Sequence, residues 1–114
     1  MFDSVTSVAL QSALDGLSLR QRTIANNVAN INTPNYHAEK VRFEDALAQS
    51  IVHGDGHTTP TVARSLEPTN EIGNNVNLDQ ETLSNVDTVL RYQFATQAVG
   101  GEATALRAAM RTNS

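Results

Sequence analysis

Residues 4–32 read SVTSVALQSALDGLSLRQRTIANNVANIN, and this stretch decides the fold class. Leu10, Leu14, Leu17, Ile24, Val28 and Ile31 follow one another at steps of four, three, seven, four and three residues, with the polar Gln21 in register across the long gap. Alternating steps of three and four draw a single apolar stripe along a helix, the pattern of a coiled-coil seam. The spacing predicts one helix of about 28 residues, about 42 Å long. A helix with one apolar stripe and polar flanks needs a partner to cover the stripe. Pro34 bounds it, because the residue before a proline is disfavoured in the helical region.

Residues 77–114 supply the partner. Asn77 is placed to cap a helix, and Gln80 stands three residues on, as in a capping box. Asp79 and Glu81 suit the positive end of that helix, and Arg107 and Arg111 its negative end. Leu83, Val86, Leu90 and Phe94 make one stripe, and Val89, Tyr92, Val99, Ala103, Leu106 and Met110 a second, offset one. Together they predict a helix touching partners on two sides. Gly100-Gly101 disagrees, since two interior glycines cost about 2 kcal/mol against alanine. They mark a bend or the close approach of another backbone.

Between the two lies a different texture. Residues 43–51 (FEDALAQSI) fit a short amphipathic helix with Phe43, Leu47 and Ile51 on one face. Breakers follow: His53-Gly54-Asp55-Gly56-His57-Thr58-Thr59-Pro60, then Pro68, Gly73 and Asn74-Asn75. Thr61-Val62-Ala63 is too short to claim as a strand. Residues 33–76 therefore read as extended and partly disordered, a connector that folds on or wraps a partner. The predicted fold is all-α: two long terminal helices packed as an antiparallel coiled coil, joined by this connector with one short helix at 43–51. Residues 1–32, 33–76 and 77–114 make one coiled-coil domain.

Composition narrows the function. The 114 residues carry a formal net charge of −4, and their 8 basic residues are scattered. That argues against nucleic acid, which calls for a clustered basic face. With no cysteine, disulfides and thiolate metal sites are excluded. No apolar run reaches the roughly 18 residues that span a bilayer, and residues 1–19 lack the pattern of a cleavable signal. There is no Trp, and only 3 Phe and 2 Tyr, so an independent rigid core is doubtful. Leu10, Leu14, Leu17, Ile24, Val28 and Ile31 are expected to pack against Leu83, Val86, Leu90, Phe94, Val99, Leu106 and Met110 and to meet neighbouring subunits. A dozen such side chains, at about 1.5–3 kcal/mol each, barely offset the ordering of two isolated helices. The monomer is expected to be mostly unstructured until it assembles.

Catalytic constellations are poor. His53 and His57 are four apart, but Gly54 and Gly56 deny them a helix to present a metal site. His37 stands alone, and Asp15, Glu44, Asp45 and Asp87 read as solvated carboxylates with no pocket around them. No nucleophile arrangement and no phosphate-cradling glycine loop is present. No cofactor, metal or small-molecule ligand is expected, and the chain is read as non-enzymatic.

The most distinctive stretch is Ala25-Asn26-Asn27-Val28-Ala29-Asn30-Ile31-Asn32-Thr33-Pro34-Asn35-Tyr36. Asparagine is a mediocre helix former whose side chain competes for backbone groups, so its repeated use needs a reason. The amides of Asn26, Asn27 and Asn30 cluster on one flank, and Ala25 and Ala29 leave room for a neighbouring backbone. Either they form an amide patch that hydrogen-bonds across a subunit interface, or they are a solvated flank near a fraying helix end.

This segment, with Ala25, Asn26, Asn27, Ala29, Asn30, Thr33, Pro34 and Tyr36, resembles the signature of the flagellar rod and hook family. Gly73-Asn74-Asn75-Val76-Asn77-Leu78-Asp79-Gln80-Glu81, followed by a helix containing Tyr92, is similar to the matching segment of its short proximal-rod members. The likeness covers about the first 45 and last 42 residues of the chain. It implies a structural subunit of the basal-body rod in the periplasm, linking the membrane ring to the distal rod, transmitting torque and lining the export channel. It implies export by the flagellar type III apparatus without a cleavable signal peptide. The implied partners are copies of itself in a helical rod assembly, other rod proteins, the membrane-ring protein and the rod adaptor. The family usually has glycine where this chain has Asn35; asparagine tolerates the left-handed conformation better than most residues. Another short proximal-rod protein, or a cytoplasmic helical adaptor or export chaperone, is the competing reading.

Overall fold

Ser4 opens the first helix by accepting a hydrogen bond from the Ser7 N–H at 3.1 Å, leaving α1 to run over Val5–Ala29. The computed structural model describes residues 4–112, and for Leu106 and Thr112 the backbone alone. The packing expected of Leu106 therefore lies outside the described side chains. α1 ends before Pro34, at asparagine. The Asn30 N–H is shared between the Asn26 and Asn27 carbonyls, and its side-chain amide donates to the Asn26 carbonyl at 2.8 Å. The side chain thereby adds a bond to a carbonyl at the end of the helix.

The connector is not disordered, and the fold is not all-α. β1, Glu39–Arg42, pairs antiparallel with β2, Thr61–Arg64, in the register Glu39↔Arg64 to Arg42↔Thr61. A two-stranded ribbon is marginal alone; this one survives by packing on α1 through Val41, which is buried, while its cross-strand partner Val62 is 48% exposed. Strand pairing spans about twenty residues of sequence, so Thr61-Val62-Ala63 could not be recognised as a strand by itself.

α2, Glu44–Val52, is the expected short helix, with Glu44 and Asp45 in its first turn. Phe43 is buried just ahead of it and Leu47 half-buried, but Ile51 faces solvent. Leu17, Val41 and Phe43 form the apolar core, flanked by Ala13, Leu19 and Leu47. Gly16 permits it, because a Cβ there would lie 2.5 Å from the Phe43 ring. Past α2, Gly56, at φ 80°, brings the loop back so close that a Cβ would meet the Val5 carbonyl at 2.7 Å. Thr58 then donates its N–H to the Ser12 hydroxyl.

α3 is one continuous helix, Leu78–Thr112. Asn77 begins it: its side chain accepts from the Gln80 N–H and its carbonyl from the Glu81 N–H. The helix continues through Gly100-Gly101, where an added Cβ would find nothing within 4 Å among the described residues.

α1 and α3 lie antiparallel. The Ser7 hydroxyl donates to Glu102 at 2.5 Å, and the Asn27 amide, 20 residues further along α1 and 21 back along α3, donates to Glu81 at 2.9 Å. The seam is not the expected one. Leu83, Val86, Leu90, Phe94 and Met110 are 53–75% exposed and Val99 is 38% exposed, so they do not mate with the α1 stripe within the chain. Among the described residues of α3, Glu81, Thr88 and Ala95 are buried, spaced by sevens, with half-buried Ser84 between the first two and Ala98 and Glu102 beyond the last. The heptad is real but carried by small and polar side chains, which let two backbones lie close.

Candidate functional site

The polar residues that seemed out of place in α1 build a clasp. Asn27 is 1% exposed and makes four bonds. Its amide nitrogen donates to the Glu39 carbonyl and to Glu81 Oε1, both at 2.9 Å; its oxygen accepts from the Glu39 N–H and from the Tyr36 hydroxyl, again both at 2.9 Å. One side chain thus joins α1, the first strand and the start of α3. Asn26 donates to the Tyr36 hydroxyl at 3.0 Å, and Asn30 accepts from the Thr33 hydroxyl. Asn27 is committed to partners within the chain, while Asn26 stays exposed and Asn30 half-buried beside it.

Asn74 and Asn75 close the clasp from the other side. The Asn74 amide donates to the Asn30 and Thr33 carbonyls just past the end of α1, at 2.8 and 2.9 Å. Asn75 accepts from the Ala38 N–H at 2.6 Å and donates to the Ser65 and Glu67 carbonyls. Both are buried. Asn35 sits at φ 61° in the turn they hold, and its N–H donates to the Ile72 carbonyl at 2.8 Å. Asparagine takes this left-handed position where the family pattern has glycine. Gly73 must lack a side chain, since a Cβ would lie 2.5 Å from the Asn35 side-chain oxygen. Asn74, Asn75 and Glu81 were not singled out as site residues from sequence. The available signal was a Gly-Asn-Asn run with no helix or strand to absorb its amides.

The electrostatics follow from this burial. Desolvation pushes the Glu81 carboxyl above its ordinary pKa, partly countered by the Asn27 hydrogen bond and by Lys40. Tyr36 is pushed up by burial and by Glu39, so its hydroxyl keeps the proton it donates to Asn27. Glu44 moves the other way. Arg20 grips it with two bonds of 2.5 and 2.8 Å and holds its pKa below the ordinary range. The same guanidinium donates to the Val41 carbonyl and lies 5.0 Å from the Phe43 ring centroid. Asp87 pairs with Arg91 at 2.9 Å. Glu44 is therefore the ion-pair partner of a half-buried arginine, whereas Asp87 and Arg91 form a solvated pair on the surface of α3.

Of the residues expected at an interface, Leu17 and Ile24 are buried, Leu10, Leu14 and Ile31 half-buried, and Val28 is 38% exposed. Leu83, Val86, Leu90 and Phe94 stand together as an uncovered apolar ridge on the outer side of α3. Beside the paired helices, Ala25, Val28, Ala29, Leu78 and Thr82 line an open groove of about 480 Å³. In the signature, Ala25, Asn26, Ala29, Thr33 and Pro34 are exposed, while Asn30 and Tyr36 are half-buried. His53 and His57 stand exposed in the loop after α2, and His37 meets Arg64 at 2.7 Å. Among the described residues no three metal-ligating side chains converge.

The fold is an elongated helix pair held in register by buried amides, with an apolar ridge left outside. A family profile described as "Flagella basal body rod protein" matches residues 9–37, the stretch that carries most of α1 and the signature turn. The chain is 31% identical to the flagellar basal body rod protein FlgB of Bacillus subtilis (strain 168) over 112 residues, covering 86% of this chain and 87% of that one. Against FlgB of Escherichia coli (strain K12) it is 28% identical, with 81% and 83% covered. The flagellar hook protein FlgE of Borreliella burgdorferi is 31% identical over 84 residues, 71% of this chain but 17% of that one. The chain belongs to the flagellar basal body rod protein family, as a structural component and not an enzyme.

Proposed function

We propose that this chain is a subunit of the proximal rod, built into the basal body within the periplasm between the membrane ring and the distal rod. There it transmits torque and lines the export channel. Its partners in this reading are copies of itself, the other rod proteins, the membrane-ring protein and the rod adaptor. It arrives through the flagellar type III apparatus with no signal peptide removed. One observation carries the reading: the ridge of Leu83, Val86, Leu90 and Phe94 is 53–75% exposed on a chain of a rod-building family. Contiguous apolar surface of that kind marks a protein–protein contact. Both helices meet neighbours in the rod, α3 through this ridge and α1 through Val28 beside the groove.

Leu83→Asp and Phe94→Asp test it. Neither side chain is buried within the chain, so the helix content and melting of the purified variants are expected to match the unchanged protein. Cells carrying them as the sole copy are expected to export the subunit, yet to lack rods by electron microscopy and to be non-motile. Normal swimming by both variants would overturn the reading.

A further inference from the structure

Among the described residues, nothing packs on Gly100 or Gly101. Both are exposed in the interior of α3, and nothing stands within 4 Å of where their Cβ atoms would be. Glycine makes a helix locally soft, because its backbone has the most conformations to lose, and paired small residues are where helices kink. The place is particular. The next residue, Glu102, is the far end of the α1–α3 seam, where its carboxylate accepts from the Ser7 hydroxyl at 2.5 Å and from the Ser4 hydroxyl at 3.4 Å. Ser4 caps α1, and the first turn of α1 holds no acidic residue of its own. Glu102 therefore supplies, from another helix, the negative charge that a helix start favours. Beyond it α3 runs past the first residue of α1.

We propose that Gly100-Gly101 is a hinge and Glu102 its latch. With the carboxylate on Ser4 and Ser7, α3 is straight and its last turns lie in line with the pair. With the latch released, those turns swing as a short arm about the two glycines while the seam from Glu81 to Ala95 stays closed. The subunit thereby has two settings of its C-terminal end, a device independent of where in a rod it stands. The clasp lies at the opposite end of the seam and holds α1 to the start of α3 in both settings.

The chain contains no cysteine, so spin labels can be placed at will on the purified full-length protein. A pair at Gln11→Cys and Ala109→Cys spans the hinge, and a pair at Arg22→Cys and Asn85→Cys reports on the seam. Pulsed electron paramagnetic resonance is expected to show two distances for the first pair and one for the second. Gly100→Ala combined with Gly101→Ala should remove the second distance, since alanine meets no clash there and stiffens the helix. Glu102→Ala should raise the population of the bent form. A single narrow distance across the hinge in the glycine protein overturns the proposal. So does a second distance that survives the double alanine, or a seam pair that broadens in step with the hinge pair. None of these readouts depends on rod assembly, so failure here and failure of the rod assignment are separable.

Discussion

At the scale of single residues, asparagine and glutamate do the work usually given to leucine. Asn27 satisfies both its amide hydrogens and both lone pairs inside the protein, and no buried side-chain polar atom among the described residues lacks a partner. A buried polar network that is fully satisfied sets one geometry, because any other arrangement strands a desolvated group. Glu81 is the costly member. Its folded-state pKa is raised by burial, so its stabilising contribution belongs to the protonated form and is lost as pH rises through that raised value. Glu44 has the opposite sign: its ion pair stabilises above the ordinary carboxylate pKa, and that is lost as pH falls through its lowered one. On acidification from neutrality, Glu81 is thus expected to add stability before Glu44 begins to remove it. Melting temperatures of the unchanged protein and of Glu81→Gln across this range check the point. The unchanged protein should gain on mild acidification and the variant should lose that gain; an identical slope in both would refute the assignment.

At the scale of elements, the turn after α1 is where local and tertiary demands meet. Asn35 holds a left-handed backbone at φ 61°, pinned by Ile72 and pressed against Gly73. The left-handed region costs an ordinary residue about 1–2 kcal/mol. Asn35→Gly is therefore expected to leave stability within about 0.5 kcal/mol, whereas a β-branched residue carries the full penalty. Urea unfolding of Asn35→Gly and Asn35→Val measures the difference, with Asn35→Val expected to lose about 1–2 kcal/mol relative to Asn35→Gly. Equal midpoints for the two would mean that this turn is not held in the left-handed form. The helices on either side depend on this corner, since Asn74 ties off the end of α1 only if the turn brings residues 70–76 back to it.

At the scale of the whole molecule, the chain is long and thin, 67 × 25 × 15 Å, with a radius of gyration of 18.0 Å. A compact domain of this length would have about 13 Å. Its accessible surface is 7690 Å², against about 6,100 Å² for a compact protein of its mass. The excess, about 1,600 Å², is about twice the roughly 800 Å² that one partner gives to a standard protein–protein interface. Two bare stripes would leave the monomer mostly unstructured, but the clasp makes α1, the first strand and α3 one unit within a single chain. The purified chain is expected to be helical and weakly stable, melting below about 45 °C, with a midpoint that rises with concentration as copies cover the ridge. Circular dichroism melts over a hundredfold concentration range test this. A sharp transition above about 65 °C that ignores concentration would contradict it.

Much of this was legible in residue order alone. Stripe spacing set two long helices and the short one near 43–51, because helical period is a local property. Asn77 showed itself through capping chemistry, and the signature segments pointed to the rod family. What residue order could not decide was which face of each helix turns inward. Apolar periodicity pointed to Leu83, Val86, Leu90 and Phe94, yet the buried heptad is Glu81, Thr88 and Ala95. Small and polar residues give no hydrophobic signal, and their burial is favourable only once distant partners such as Asn27 saturate them. The ribbon of Val41 and Val62, and the closure of Asn74 and Asn75 on α1, are likewise contacts between remote segments. Such pairings leave no periodic trace in the chain, because their energy resides in tertiary hydrogen bonds that exist only after folding.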